Sequence, residues 1–215
     1  MTMVNYVPGH NPASTLSRRD RKKKEVRARL YATAIAIFRR DGFDETPVEA
    51  ITTAADTAKG TFFNYFPTKE HVLAAYHDDM TGRILGRLED MAPCSSEDAV
   101  QEAMAVCADW VESDRVMGRY VVQKVFGNPV VLSADLRNTE LFMNWFRDRI
   151  AEGVERGELR SELDVPVMLS MLAAVLSSTM NAWVMRPDAF DLRDLLRRKT
   201  RFVFDAARNP QRQRV

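Results

Sequence analysis

The residues whose types and spacing could do chemistry lie in one stretch, TPVEAITTAADTAKGTFFNYFPTK, from Thr46 to Lys69. Lys59, Thr61 and Asn64 bring a cation, a hydroxyl and an amide to one side of a short segment. These groups donate to phosphate oxygens and base edges, with no bond made or broken. Enzyme chemistry lacks its marks. There is no G-x-S-x-G elbow, phosphate-cradling glycine loop or H-E-x-x-H. His71 and His77 lie six apart, which is not the i, i+4 spacing of a helical metal site, and both read as satisfied or solvent-exposed histidines. Cys94 and Cys107 form neither a metal spacing nor a disulfide framework, and read as reduced thiols with Cys107 in the core. No catalytic set, metal or cofactor is expected.

Two short helices must position the recognition groups. Thr46, Pro47 and Glu49 read as N-cap, N1 and N3 of the first, a T-x-x-E capping box. Val48, Ile51, Ala54 and Ala55 share one of its faces. Asp56 falls at the sharp turn, where aspartate tolerates a left-handed backbone. The second helix starts near Ala58, in a likewise N-capping position, and ends by Tyr65, since Pro67 cannot continue it. Phe62 and Phe66 face inward. A short helix, a tight turn and a second helix opening on small polar and basic residues is the helix-turn-helix that enters a DNA major groove. Charge distribution agrees. Net charge is only +1, yet residues 17–29 hold eight Lys or Arg against two acids. Beside a helix-turn-helix, that block reads as a phosphate-binding footprint rather than a solvated face.

The run AKGTFFNYFPTKE resembles the recognition helix of the tetracycline-repressor (TetR) family of bacterial transcription regulators, with its pattern near G-V-S-K-G-T-x-Y-x-Y-F-x-x-K. Lys59, Gly60, Thr61, Tyr65, Phe66 and Lys69 match; Asp56, Thr57, Ala58 and Phe63 depart from it. The resemblance and the basic block imply DNA contacts from Arg18, Lys22, Arg27, Thr46, Lys59, Gly60, Thr61, Phe63, Asn64, Tyr65 and Lys69. Lys69 would hold a phosphate at the positive N-terminus of the next helix.

Around this centre the chain reads as all-α, with about nine helices. Residues 1–17 read as a flexible arm without the apolar segment of a signal peptide, 18–67 as the DNA-binding unit, and 68–215 as a helical effector-binding and dimerisation unit. The first helix spans about Arg18 to Arg40, ended by Asp41-Gly42. The fourth runs from Thr68 to about Met91, long enough to leave the DNA-binding unit. Ser96 reads as the cap of the fifth. The sixth stops at Gly127-Asn128-Pro129, the seventh covers about Ser133 to Arg156, and a GELR turn familiar from the same family follows. The eighth, about Asp164 to Met185, is apolar nearly all round. Ser170, Ser177, Ser178, Thr179 and Asn181 interrupt it, so it reads as buried against both its own core and a partner rather than as a membrane span. The ninth covers Ala189 to Ala207, and the final RNPQRQRV reads as frayed.

In the family, the last two helices dimerise, and a pocket enclosed by helices four to eight receives an effector. Candidate lining residues are Met104, Cys107, Trp110, Met117, Tyr120, Val121, Phe126, Met143, Phe146, Met171, Met180 and Trp183. Each is explained singly by core packing; together they form the soft apolar surface that suits a pocket. The resulting expectation is a cytoplasmic homodimeric repressor of double-stranded DNA operators, released by a hydrophobic small molecule. The alternatives are a helical small-molecule-binding protein with weak or no DNA binding, a dimeric DNA-binding protein without ligand control and, least, an enzyme.

Overall fold

The computed structural model describes residues 17–186 and 189–209 of the chain. The expected arm falls outside the described residues up to residue 16, as does the chain end from residue 210. Nine helices occur among the described residues: α1 (Arg18–Asp41), α2 (Val48–Ala54), α3 (Lys59–Tyr65), α4 (Lys69–Glu89), α5 (Ser96–Ser113), α6 (Arg115–Val125), α7 (Pro129–Glu155), α8 (Val165–Met185) and α9 (Leu192–Ala207). An antiparallel bridge, Leu159 to Arg208, ties the turn after α7 to the end of α9.

The helices divide their apolar faces between two cores. In the first, Leu30, Ala34 and Phe38 of α1 pack with Ile51, Phe62 and Phe66, and with Val72, Leu73 and Tyr76 of α4. Met117, Val121 and Val125 of α6 and Val131 of α7 complete it. The helix-turn-helix therefore shares its core with helices far along the chain. The second core joins α5 to α7, α8 and α9 around Val100, Met104, Phe146, Leu172 and Phe204. α4 contributes to both, through Leu73 and Tyr76 to the first and Ile84 and Leu88 to the second.

Several local expectations change. Thr46 is no N-cap; Pro47 occupies that position, and the Thr46 hydroxyl donates 2.5 Å to the Gly42 carbonyl. Glu49 pairs instead with Lys59, so the capping box does not form. Ser95, not Ser96, caps α5, accepting from the Asp98 amide, while the buried Ser96 hydroxyl donates to the Arg149 carbonyl. α7 begins earlier than expected, at Pro129, because Asn128 accepts from the amides of Val130 and Val131.

The end of α7 is held by close approach. A Cβ on Gly153 would stand 2.0 Å from Ser96 Oγ, so only glycine lets α5 and α7 meet there. α8 is, among the described residues, the one helix long and apolar enough to cross a membrane by length and composition. It buries Leu169, Leu172 and Trp183 in the second core and leaves Val167 and Met171 exposed, with Phe202 of α9 lining the same groove as Met171.

Candidate nucleic-acid interface and internal cavity

The turn between α2 and α3 is built on Asp56 at φ +48°. α3 then starts at N-cap Ala58, which offers no side-chain acceptor. The neighbouring Thr57 hydroxyl is buried without a hydrogen-bond partner among the described residues. Phe62 and Phe66, almost wholly buried, anchor the inner side of α3, their rings 5.8 Å apart. This turns Lys59, Gly60, Phe63 and Asn64 outward, with Thr61 and Tyr65 half-buried beside them. A Cβ at Gly60 would meet nothing within 4 Å. Arg18, Lys22 and Arg27 of α1 are exposed, and the Arg27 guanidinium lies 4.9 Å from the Phe66 ring centre. The cation row of α1 and the outer side of α3 are thus tied through Phe66.

Two residues expected on this face are engaged internally. Thr46 is only 1% exposed. The Lys69 ammonium donates to the carbonyls of Phe43, Asp44 and Thr46 at 2.7, 3.0 and 3.2 Å, and sits over the Phe43 ring. Lys69 clamps the loop before α2 to the start of α4, so its charge is directed at backbone. Lys59 faces outward but is paired with Glu49, whose carboxyl that hydrogen bond holds below its ordinary value.

Behind this unit lies a cavity of about 550 Å³ bounded by α4, α5, α6, α7 and α8. Of the residues expected to line it, Cys107, Trp110, Val121, Phe126, Met143 and Met180 do so. The other six do not. Met104, Phe146 and Trp183 fill the second core, and Met117 the first. Tyr120 packs its ring 5.8 Å from Phe43, and Met171 lies on the outer α8–α9 face. Helical periodicity marks all of them as inward, but α5 and α6 each have neighbours on two sides, so inward does not mean toward the cavity.

The cavity also has a polar lining. His77 and Thr81 come from α4, Asp135, Asn138 and Thr139 from one face of α7, and Ser177, Ser178 and Asn181 from α8. His77 is neither exposed nor satisfied. Its ring stacks on Trp110 at 6.3 Å with 5° between planes, and its Nδ1 is enclosed without a partner among the described residues. Burial pushes its pKa down to about 4, so it is neutral near pH 7. Burial likewise pushes the Asp135 carboxyl up, and the Cys107 thiol up to about 12. Cys107 is an inert wall residue. Among the described residues no group of three or more His, Cys, Asp or Glu could hold a metal ion.

Residues 30–76 match the family model described as bacterial regulatory proteins, tetR family, and residues 137–206 match the C-terminal region of YsiA-like proteins. The chain is 22% identical over 191 residues to the fatty acid metabolism regulator protein of Bacillus subtilis strain 168, covering 80% of this chain and 90% of that protein. It is 29% identical over 154 residues to the HTH-type transcriptional repressor DhaR of Mycobacterium sp. strain GP1, covering 69% and 77%. Similar solved structures include Thermus thermophilus FadR in complex with lauroyl-CoA, at TM-score 0.68 and 24% identity, covering 82% of this chain and 92% of that one. Another is Bacillus subtilis FadR in complex with stearoyl-CoA, at TM-score 0.67 and 19% identity, covering 82% and 97%. With the matched N-terminal model spanning the second half of α1 through the first part of α4, and the C-terminal one most of α7 through α9, the chain belongs to the TetR family of bacterial transcription regulators.

Proposed function

We propose that the protein is a homodimeric repressor that reads an inverted-repeat operator through α3 and releases it when a hydrophobic-tailed small molecule fills the cavity. The observation that carries this reading is the course of α4. Its first residue clamps the loop before the helix-turn-helix, and its His77, Met80, Thr81 and Ile84 form one wall of the cavity. A ligand that prefers a different α4 tilt changes the distance between two reading heads, and only such differential affinity shifts the equilibrium. The complexes of two FadR relatives with lauroyl-CoA and stearoyl-CoA support an apolar chain as the occupant. DNA contacts are assigned to Arg18, Lys22, Arg27, Lys59, Gly60, Thr61, Phe63, Asn64 and Tyr65, with Thr46 and Lys69 positioning them. This role places the protein in the cytoplasm.

The dimer reading is supported by the outer side of α8 and α9, where Val167, Met171 and Phe202 are 51%, 45% and 75% exposed. Isolated monomers seldom leave such an apolar strip uncovered. Half-site centres then fall about 34–36 Å apart, or a multiple of that. The test is a mobility shift on the DNA flanking the protein's own gene, with alkyl-chain compounds titrated in, alongside sedimentation of wild type and Phe202→Glu. The expected result is a retarded dimer complex, lost on adding a tight ligand and absent for the monomeric variant. Retardation insensitive to every ligand that binds the free protein overturns the release mechanism.

A further inference from the structure

The cavity has a polar pole. Among the described residues lining it, Asp135 is the one acid, and none is Lys or Arg. Two cations of the lining helices α6 and α7 are committed elsewhere. Arg137 bonds Asp78 at 3.2 Å, and Lys124 bonds Asp44 at 2.6 Å. Asn138, one turn on from Asp135, donates its amide to Asp78 as well. Asp135 is half-buried beside Leu136, which with Phe126 is an exposed part of the lining, at 61% and 82%. The lining is open to solvent at the corner between α6 and α7, next to Asp135, and again along α8 at Ser177, Ser178 and Asn181. On the α4 wall, the enclosed Nδ1 of neutral His77 is unsatisfied.

From this placement we propose that Asp135 anchors the head group of the effector, and that the effector is a neutral or cationic amphiphile presenting a hydrogen-bond donor, such as an alkylamine or alkanol, rather than an anion. The proposal rests on the reading of the cavity as an effector site. A second anion drawn in beside an uncompensated carboxylate, with no cation in the wall, loses its hydration and meets like charge. An ammonium or hydroxyl instead supplies the partner that Asp135 lacks among the described residues, and hydrogen bonds to a charged group are the stronger kind. The burial that raises the Asp135 pKa in the free protein points the same way, since an arriving cation relieves that cost.

The experiment titrates dodecylamine, dodecan-1-ol, dodecanoate and dodecanoyl-CoA, each below its micelle concentration, against wild type and Asp135→Asn. Binding is followed by calorimetry and by the fluorescence of Trp110, a lining residue. One charge-assisted hydrogen bond predicts that dodecylamine binds at least about tenfold tighter than dodecanoate. Asp135→Asn is near-isosteric and removes an unpaired charge, so it folds, and the amine preference over dodecan-1-ol collapses while dodecan-1-ol itself still binds. If dodecanoate or dodecanoyl-CoA binds as tightly as the amine to wild type, or the Asn variant keeps the amine preference, the head-group assignment fails and the cavity reading stands. If none of the four binds, both fail together.

Discussion

The Tyr76 hydroxyl donates a 2.6 Å hydrogen bond to Asp114 Oδ2, the same oxygen that accepts from Nε and Nη2 of Arg39. Arg39 belongs to the last turn of α1 in the DNA-binding unit, Tyr76 to α4, and Asp114 caps the start of α6. Trp110 Nε1 in turn donates 3.3 Å to the Tyr76 oxygen, and the Trp110 ring, stacked on His77, is part of the cavity wall. An unbroken set of contacts thus runs from cavity to α1. Burial pushes the Asp114 carboxyl up, but the hydrogen bonds from Arg39 and Tyr76 outweigh it and hold the group below its ordinary 3.8.

Asp114→Asn keeps the shape and removes the charge that gathers Arg39 and Tyr76. Ligand affinity of the free protein should change little. The factor by which a saturating ligand weakens operator binding should shrink, by about 0.5–2 kcal/mol of coupling. Operator affinity measured with and without ligand, in both proteins, gives that factor directly. An unchanged factor would mean that the cavity acts on the reading heads by another route.

His77 makes stability depend on pH. Its folded pKa of about 4 lies below the ordinary 6.5, so the unfolded chain binds more protons between those values. The contribution of His77 is whole above pH 6.5 and is lost as pH falls toward 4, with a ceiling of about 3 kcal/mol. Asp114 acts lower, its contribution being lost only as pH falls below the ordinary 3.8. Asp135, with its raised carboxyl, acts in the opposite sense, so the His77 part is read as a difference. Between pH 7 and 4.5 the thermal midpoint of wild type should drop about 5–10 °C more than that of His77→Gln. Parallel curves would place a charged His77 in the folded state.

The helix-turn-helix was readable because its signals are local. Asp56 at the turn, Pro67 at the stop and the buried pair Phe62 and Phe66 each act within a few residues. The cavity was only half readable for the opposite reason. Met104 and Cys107 are three apart on α5 and both buried in the second core, yet Cys107 also lines the cavity and Met104 does not. That choice depends on where α7 and α8 lie, which periodicity does not carry. Asp135 and His77 stand outside the apolar stripes that mark the other wall residues. The repeat Asp135, Asn138, Thr139, Phe142, Met143 on α7 was available as a mixed one. Lys69 matched the recognition pattern in type, but its acceptors lie more than twenty residues upstream.

The start of α3 carries a correctable weakness. Ala58 is the N-cap and supplies no acceptor to the first-turn amides. Ser at that position should add about 0.5–2 kcal/mol. The side chain of Ala58 is exposed, so the new hydroxyl meets no steric barrier. Ala58→Ser should therefore raise the thermal midpoint by a few degrees with operator binding retained. A lower midpoint would show that the hydroxyl draws the turn away from its Asp56 conformation.

The last prediction separates phosphate contacts from their supports. Lys69 spends its charge on three carbonyls of residues 43, 44 and 46. Lys69→Met removes that clamp and should cost about 1–3 kcal/mol of stability, because the part-buried carbonyls of Phe43 and Thr46 lose a charged donor. Operator affinity falls as α3 is held less firmly, but the dependence of log affinity on log salt should keep its slope, since no phosphate contact is lost. Lys22→Ala, on the exposed row of α1, should leave the thermal midpoint nearly unchanged and reduce the slope by about 0.9. Glu49→Gln should act in reverse. It frees Lys59 from its partner, raising affinity on all sequences alike and steepening the slope. Salt titrations of the three variants against one operator decide the matter. A slope reduced by Lys69→Met as much as by Lys22→Ala would return Lys69 to the phosphate backbone.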